Sequence, residues 1–204
     1  MTTILLSDPL VHAIRVRDNG EPLVPLPFAQ AVLVRSGLAE RLGRARSVLP
    51  SGVDLRVIEG HRGVADQRAI IDEYSRELRV LHPDADEVEL TRLYSRFVAP
   101  VAVAPHVAGA AVDLTLVDEG GEDLWMGTPV DATPEQSGGA CWFAADVDPT
   151  ARRNRAVLAH ALTGAGLVNY PTEWWHWSYG DRYWALMSGA DHAIYGPVET
   201  GVPA

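Results

Sequence analysis

The sequence lacks several features that would assign it to particular classes of protein. Its 204 residues include a single cysteine, Cys141, which cannot form an internal disulfide. No apolar run approaches the roughly 18 residues of a membrane span, and the N-terminus has no basic stretch typical of a secretory signal. Basic residues are also scarce, 17 against 27 acidic ones, which gives a net charge of −10. Nucleic acids and anionic membranes both favour a basic surface, so neither is expected as a partner.

These absences predict a cytoplasmic protein in a reducing compartment. Cys141 stands among polar residues with no recognisable base nearby, so we interpret it as an incidental thiol in a loop. A composition of 47% hydrophobic and 22% charged residues is ordinary for a soluble globular protein. The length predicts one domain over residues 1–204 with a hydrophobic core, and nothing in the sequence indicates an oligomeric state.

Hydrophobic periodicity predicts an α+β fold, because helices and strands are mixed without regular βαβ alternation. Residues 1–27 are expected to form an extended N-terminal arm with one short strand at residues 13–16. Helices are predicted from about residue 28 to 49, over 65–81, from about 86 to 98 and from 148 to about 163, and strands over 54–59, 111–117, 173–179 and 183–186. Residues 118–147 are rich in turn-forming residues, without periodicity, and long enough to predict a functional loop.

One stretch with metal-binding chemistry contains His106 and Asp113, seven residues apart with only small or apolar residues between them. Asp113 lies at the start of an apolar strand, where an unpaired carboxylate costs free energy. A metal ion would offset that cost, and so would an arginine. The spacing alone leaves both explanations open, because it is not a helical metal-binding signature.

A second stretch, residues 172–177, reads Thr-Glu-Trp-Trp-His-Trp. On a flat strand Glu173 and His176 would point to opposite faces, so they serve one site only if the strand bends. The alternative is that Glu173 is a surface acid and the tryptophans form part of the core. Together the two stretches supply two imidazoles, one carboxylate ligand and one spare carboxylate, the set needed by a catalytic zinc site with an open position for water.

The pattern His-x-x-Gly-x-Ala-x-Asp over residues 106–113, followed by Glu-Trp-Trp-His over 173–176, resembles the D-alanyl-D-alanine dipeptidases. These are cytoplasmic zinc peptidases associated with vancomycin resistance, and their fold is that of the Hedgehog signalling domain. Gly-His-Arg at residues 60–62 resembles the family's Gly-Tyr-Arg, and residues 126–131 resemble its Met-Gly-x-x-Phe-Asp. The likeness covers about residues 28–180, and the four motifs occur in the family's order.

The resemblance implies a Hedgehog/D,D-peptidase-like fold, a central antiparallel sheet with flanking helices, in one zinc D,D-dipeptidase domain. It implies one zinc ion per chain with three protein ligands, His106, Asp113 and His176. It further implies that Glu173 is the general base on the attacking water and that Arg62 stabilises the tetrahedral oxyanion. Asp131 would bind the free ammonium of the substrate, a small D-amino-acid dipeptide such as D-Ala-D-Ala.

Two departures from the family pattern leave the substrate preference open. Ala104 stands where the family usually has serine, and residues 135–139, Glu-Gln-Ser-Gly-Gly, replace an Arg-Ser-His-His run. One alternative function is a related zinc peptidase that acts on longer peptidoglycan stem peptides, against which the lack of a signal peptide argues. Another is a zinc-bearing binding module without activity, which would need neither Glu173 nor Arg62.

Overall fold

The computed structural model describes residues 3–198 and has an α+β architecture, as the sequence predicts. The helices and strands of this part of the chain are, in order, α1 (Pro9–Ala13), β1 (Leu23–Leu26), β2 (Ala29–Arg35), α2 (Ser36–Ser47), β3 (Val53–Glu59), α3 (Val64–Leu81), α4 (Glu87–Tyr94), β4 (Ala111–Asp118), α5 (Pro149–Gly164), β5 (Val168–Asn169), β6 (His176–Ser178) and α6 (Arg182–Ser188). None of these helices is both long enough and apolar enough to cross a membrane.

A four-stranded antiparallel sheet with strand order β3-β4-β6-β5 lies at the centre of the fold, and β1 and β2 form a separate hairpin. All but the last residue of β4 are buried. Side chains alternate between the faces of a strand, so Val112, Leu114 and Leu116 enter the main core while Asp113 points to the other face. The sheet therefore has an apolar face for packing and a polar residue in the middle of its second face.

Helices α2 and α5 cover the apolar face of the sheet. Leu38 and Leu42 of α2 are fully buried in the main core, as are Leu158 and Leu162 of α5. Each of these pairs is spaced four residues apart, which places both members on one side of the helix. These four leucines are among the residues whose periodicity predicts a buried helical face.

The predicted start of α5 is confirmed. The Asp148 carboxylate accepts hydrogen bonds from the amides of Thr150 and Ala151 at 2.9 and 3.1 Å, and Pro149 occupies the first helical position. Helix α3 also agrees with its prediction to within one residue at its start, and α4 ends at Tyr94, four residues early. Strands β3 and β4 extend their predicted ranges by one residue each.

The predicted helix from Phe28 is wrong over its first third. Residues 29–35 form β2, which pairs antiparallel with β1, and the helix begins only at Ser36. Ala31 and Val34 fit a helical spacing, but pairing with a distant strand overrides that local pattern. The hairpin is therefore a product of long-range contact that periodicity does not reveal.

The N-terminal arm is not simply extended, because it contains α1 and β1. Val16 forms only an isolated bridge with Ala193, so the strand predicted at residues 13–16 is wrong. Asp8 caps α1 by accepting a hydrogen bond from the Leu10 amide at 2.8 Å, and Pro9 follows at the first helical position. The same Asp-Pro signal starts α5, so the sequence did carry the indication.

The strand predicted at residues 183–186 is also wrong, because α6 occupies this region. Asp181 caps the helix through hydrogen bonds from the amides of Tyr183 and Trp184 at 2.8 and 3.3 Å. Gly189 ends it in the left-handed conformation with φ of 71°. Aromatic content suggested a strand, but the capping residues at both ends specify a helix.

The predicted loop between β4 and α5 has no helix or strand, and Arg155 of α5 organises it. Only 2% of Arg155 is exposed, and its guanidinium donates to the carbonyls of Met126, Ala140, Trp142 and Phe143 at 2.7, 2.8, 2.6 and 3.2 Å. Burial lowers the pKa of Arg155 to about 10. The loop is thus fixed through its main chain rather than through regular pairing.

Cys141 lies in this loop but not among polar groups. Its side chain is fully buried in the main hydrophobic core, which corrects the interpretation as a thiol in a polar loop. Burial raises the pKa of the Cys141 thiol, so the group is inert rather than activated.

Candidate metal centre and catalytic cleft

Strand register brings three acidic or imidazole side chains into one row. Asp113 of β4 lies opposite Glu59 of β3 on one side and His176 of β6 on the other. Residues directly opposite each other on antiparallel strands have side chains on the same face. His106 approaches this row from the turn after the short 3-10 helix Val101–Val103.

The donor atoms of His106, Asp113 and His176 form a tight, buried triangle. His106 Nε2 lies 3.1 Å from His176 Nδ1 and 3.2 Å from Asp113 Oδ2, and His176 Nδ1 lies 3.0 Å from Asp113 Oδ1. Each residue is 4–5% exposed. Ligands about 2.0–2.1 Å from a tetrahedral zinc are separated by about 3.3 Å, so each of these separations, two of which reach Asp113 through different oxygens, is close to that between two ligands of one zinc ion.

A hydrogen bond fixes the tautomer of His106. Its Nδ1 lies 2.7 Å from the carbonyl oxygen of Gly60, so Nδ1 carries the proton and Nε2 presents its lone pair to the triangle. A Cβ at Gly60 would lie 2.5 Å from the Leu33 carbonyl oxygen, so only glycine fits there. Gly109, the glycine of the His-x-x-Gly motif, has φ of 63° and would place a Cβ 2.4 Å from Leu23.

The charge of Asp113 is balanced by the imidazoles. Burial opposes its ionisation, but His106 and His176 outweigh burial and hold the pKa of the Asp113 carboxyl well below its ordinary value. Burial lowers the pKa of His176, whereas the charge of Asp113 overcomes burial and raises the pKa of His106. Arginine is not the direct partner that the sequence left open, since Arg62 pairs with Glu59.

Glu173 reaches the triangle because it precedes β6 instead of lying on it. Its amide donates to the Tyr170 carbonyl at 2.9 Å, and the His176 amide donates to the Glu173 carbonyl at 3.3 Å, which makes a turn. The Asn169 side chain closes this turn with bonds to the carbonyls of Glu173 and His176 at 2.9 and 3.0 Å. The strand predicted from residue 173 is therefore wrong before His176, and the turn puts both side chains at one site.

The Glu173 side chain is 5% exposed, and its Oε2 lies 4.0 Å from His176 Nδ1. Burial, together with the negative charges of Asp113 and Asp131, raises the pKa of Glu173 well above its ordinary value, although Arg62 opposes the shift. A carboxylate with a raised pKa binds a proton more strongly, as a general base requires.

The three tryptophans around Glu173 belong to the core, as the sequence alternative proposed. Trp174, Trp175 and Trp177 are each 1–2% exposed. Trp174 Nε1 donates to Thr128 Oγ1 at 2.9 Å, and Trp177 Nε1 donates to the Trp174 carbonyl at 3.1 Å. The other part of that alternative, a surface location for Glu173, does not hold.

A cavity of about 250 Å³ opens beside the triangle. Its polar wall includes the three triangle residues together with Glu59, Arg62, Gln67, Asp131 and Glu173, and its apolar wall consists of Leu6, Ile70, Phe97, Val98, Ala99 and Pro105. All six site residues predicted from the sequence are thus brought together. The sequence analysis did not predict Glu59, Gln67 or the apolar wall. Glu59 could have been found from its position three residues before Arg62. No local sequence signal indicates Gln67.

Arg62 contacts both missed polar residues. It forms a bidentate ion pair with Glu59, with Nε 2.7 Å from Oε1, and Nη1 donates to Gln67 Oε1 at 3.0 Å. Burial disfavours the charged guanidinium, but the hydrogen bonds and negative charge of Glu59 raise the pKa of Arg62 above its ordinary value. Arg62 therefore carries a permanent positive charge at the cavity wall.

Asp131 lies at the mouth of the cavity and is the one non-glycine residue with positive φ, 62°, within residues 3–198. Partial burial and the charges of Asp113 and Glu59 raise the pKa of its carboxyl group to about 6. Four residues later, Glu135 accepts hydrogen bonds from Tyr74 and Arg96 at 2.5 and 2.6 Å. The segment that departs from the family pattern thus ties its own loop to the helical side of the cleft.

The first departure from the family pattern, Ala104, lies near the same cleft. It is 4% exposed and belongs to an apolar cluster with Val107, Tyr170 and Tyr183. Tyr170 packs its ring against His176 with centroids 6.0 Å apart, and its hydroxyl is engaged with the Leu6 amide and the Ser95 carbonyl. Tyr170 therefore supports a member of the triangle and does not itself line the cavity.

Comparison with known proteins finds relatives among the D-alanyl-D-alanine dipeptidases. A family model described as D-Ala-D-Ala dipeptidase, peptidase family M15, matches residues 25–192. The chain is 29% identical over 239 residues to a D-alanyl-D-alanine dipeptidase of Synechocystis, covering 92% of this chain and 96% of that one. It is 42% identical over 82 residues to the Escherichia coli K12 D-alanyl-D-alanine dipeptidase, covering 40% of this chain and 41% of that one.

Among solved structures, the vancomycin resistance D,D-dipeptidase VanXYg, in complex with a D-Ala-D-Ala phosphinate analogue, is similar with a TM-score of 0.48 and 20% identity. The match covers 85% of this chain and 62% of that one. The family model, which spans most of the chain, decides the assignment: this chain belongs to the D-Ala-D-Ala dipeptidase family of metallopeptidases.

Proposed function

We propose that this protein hydrolyses the D-Ala-D-Ala dipeptide with one zinc ion per chain and Glu173 as general base. The observation that carries the proposal is the buried triangle of His106, Asp113 and His176 with Glu173 beside it, 4.0 Å from a ligand nitrogen. A structural cluster of buried residues would not need a fourth, unpaired carboxylate so close to the other three.

The three side chains fit zinc by chemistry as well as by distance. His106 and His176 direct ring nitrogens, and Asp113 a carboxylate, at one point, and neutral imidazole with carboxylate is a donor set that zinc accepts. A zinc ion bound there supplies a Lewis acid that lowers the pKa of water to about 7 and polarises a carbonyl. Three protein ligands leave one tetrahedral position for that purpose.

Glu173 moves the protons of the reaction. Its carboxylate accepts a proton from the attacking water and returns it to the nitrogen of the leaving D-alanine. A carboxylate with a raised pKa is a stronger base than a surface acid, which suits its acceptance of the proton. Burial of the carboxylate, with the negative charges of Asp113 and Asp131 nearby, is why its pKa differs from that of a surface acid.

Arg62 and Asp131 fit the charges of a free dipeptide. The Arg62 guanidinium donates hydrogen bonds to the oxyanion that develops as the carbonyl becomes tetrahedral. The Asp131 carboxylate, at the cavity mouth, binds the free ammonium of the first D-alanine. A cavity of about 250 Å³ matches a substrate of this size better than a long peptide.

A peptidase for longer stem peptides is a second candidate, favoured by the partial exposure of Asp131, which leaves the cavity mouth accessible. A stem peptide has an amide bond where the dipeptide has its ammonium, and an amide cannot neutralise Asp131. A metal-binding module without activity accounts for neither Glu173 nor Arg62 in the cavity wall.

The test is release of free D-alanine from D-Ala-D-Ala by purified protein, with zinc-loaded and chelator-stripped samples compared side by side. We expect release only from the zinc-loaded sample, and its restoration when zinc is added back. L-Ala-L-Ala and a stem pentapeptide ending in D-Ala-D-Ala serve as competing substrates. Faster cleavage of the pentapeptide would favour the second candidate, and no cleavage of any substrate would overturn the assignment of an active enzyme.

A further inference from the structure

The hydrogen bonds of Arg62 leave a defined part of its guanidinium for substrate. An arginine has five N–H donors, and three of those on Arg62 are used by protein groups within residues 3–198. Nε and Nη2 donate to the two oxygens of Glu59, and Nη1 donates to Gln67. One N–H on each terminal nitrogen remains, and Arg62 lines the cavity.

Gln67 is held at both ends of its amide. Its oxygen accepts from Arg62 Nη1 at 3.0 Å, and its Nε2 donates to the Ala99 carbonyl at 2.7 Å. Only one orientation of the amide satisfies a donor on one side and a carbonyl on the other, so the side chain cannot flip. It is 1% exposed and lies in the first turn of α3, a well-packed element.

Glu59 and Gln67 restrain Arg62 in different ways. The Glu59 carboxylate binds one edge of the Arg62 guanidinium. The Glu59 side chain is 34% exposed, so this ion pair lies partly in solvent. A group held along one edge can still rock about that edge. The third bond, to the fully buried Gln67, stops that motion, and because Gln67 is neutral it does so without reducing the positive charge of Arg62.

We propose that Gln67 is a positioning residue for the hydrolysis, which acts through Arg62 by holding its two remaining N–H groups toward the reacting carbonyl. This inference rests on the proposed function, because it takes Arg62 as the donor to the oxyanion. The oxyanion forms only in the transition state, so a loosened Arg62 lowers kcat and leaves KM nearly unchanged.

The experiment compares three substitutions and one double variant in the zinc-loaded enzyme. Gln67→Met keeps the volume but removes both hydrogen bonds, and we expect kcat to fall about tenfold with KM changed less than about twofold. Gln67→Leu also fills the site without either hydrogen bond, so it should cause a similar fall in kcat. Arg62→Lys removes Nη1, so adding Gln67→Met to it should cause little further loss.

Gln30→Met is the matched control, because Gln30 also donates to backbone carbonyls but lies on the exposed surface of β2. Zinc content and the thermal midpoint of each variant separate a loss of folding from a loss of positioning. Equal kcat in Gln67→Met and wild type, or an undiminished effect of Gln67→Met in the Arg62→Lys background, would overturn the inference while leaving the proposed function intact. Should Gln67→Met fail to fold, Gln67→Leu decides: an unchanged kcat in the folded, zinc-replete variant overturns the inference as well. A wild-type enzyme without zinc-dependent turnover would overturn both.

Discussion

The two sides of the cleft are built in opposite ways. His176 and Asp113 lie on paired strands, and His106 is held by the Gly60 carbonyl, so the candidate metal site is fully buried and fixed by sheet register. Asp131 lies on an irregular loop, in a strained left-handed conformation, and is exposed. The sheet therefore sets the geometry of the candidate metal site. The position of Asp131 depends instead on a loop that is held by residues outside it.

The two sides of the cleft have different roles, metal binding on the sheet side and substrate binding on the loop side. The ligand triangle needs distances correct to a few tenths of an ångström, and strand pairing supplies them. Binding of an ammonium by Asp131 depends on charge, which falls off gradually with distance, so a loop is sufficient. Substitutions on the sheet side should therefore abolish chemistry, and substitutions on the loop side should alter only affinity.

The largest effect is expected for His176→Ala. Losing one ligand of three removes the metal and with it the activation of water, so we expect turnover to fall by more than the ~10²–10⁴ that a general base contributes. Zinc content by atomic absorption should fall together with activity. His160→Ala on the exposed side of α5 is the control, and full activity in the His176 variant would exclude this residue from the site.

The next effect is expected for Glu173→Ala, which separates chemistry from metal binding. This variant should retain zinc, because Glu173 is not part of the triangle, but kcat should fall by about 10²–10⁴. Zinc content and single-turnover rates measure the two quantities independently. Glu122→Ala, at an exposed position, is the control. Turnover retained in the Glu173 variant would contradict the assigned mechanism.

On the loop side, Asp131→Asn should raise KM for D-Ala-D-Ala about tenfold and change kcat little, because it removes one charge-assisted contact at a partly exposed position. Asparagine also tolerates the positive φ of this position, so the loop should keep its shape. Steady-state kinetics measure both constants. A fall in kcat as large as that of the Glu173 variant would show that the division between the two sides is wrong.

The smallest effect is the pH dependence of affinity. The pKa of Asp131 is raised to about 6, so the carboxylate is charged above that pH and becomes neutral below it. KM should therefore be constant above about pH 7 and rise as pH falls through 6, levelling off at about the tenfold increase expected for Asp131→Asn. The same profile for Asp131→Asn should be flat in this range. An equal rise in the variant would assign the titration to another group.

The two sides also differ in how far the sequence predicts them. The motif spacing around His106, Asp113 and His176 identifies residues that the structure does bring together, and the apolar pattern predicts β4. The sequence indicates that Glu173 and His176 can serve one site only if the strand bends, but it does not place the bend, which depends on hydrogen bonds from the side chain of Asn169 rather than on strand propensity. Gln67 was not predicted for a related reason. Its partner Ala99 is distant in sequence, and its spacing from its other partner, Arg62, forms no recognisable pattern.

For the fold, the capping signals predicted better than the periodicity. The Asp-Pro pair at residues 148–149 placed the start of α5 correctly, and the same pair at residues 8–9 and Asp181 marked two helices that were missed. Periodicity failed at β2, where Ala31 and Val34 fit the spacing of a helix although these residues form a strand and only Val34 is buried. A local pattern cannot settle that ambiguity, because only the pairing with β1 does so.

The way Arg155 holds the loop affects how the sequence around this cleft can change during evolution. Its four acceptors are all main-chain carbonyls, a group that every amino acid carries. Mutations that replace the loop's other side chains leave those acceptors in place, although Thr128 and Glu135 hold the loop through their own side chains. Residues of the loop that make no such contact are therefore free to diverge while the loop stays attached. A descendant enzyme can therefore acquire a new substrate by altering this loop alone, with the sheet that carries Asp113 and His176 inherited unchanged.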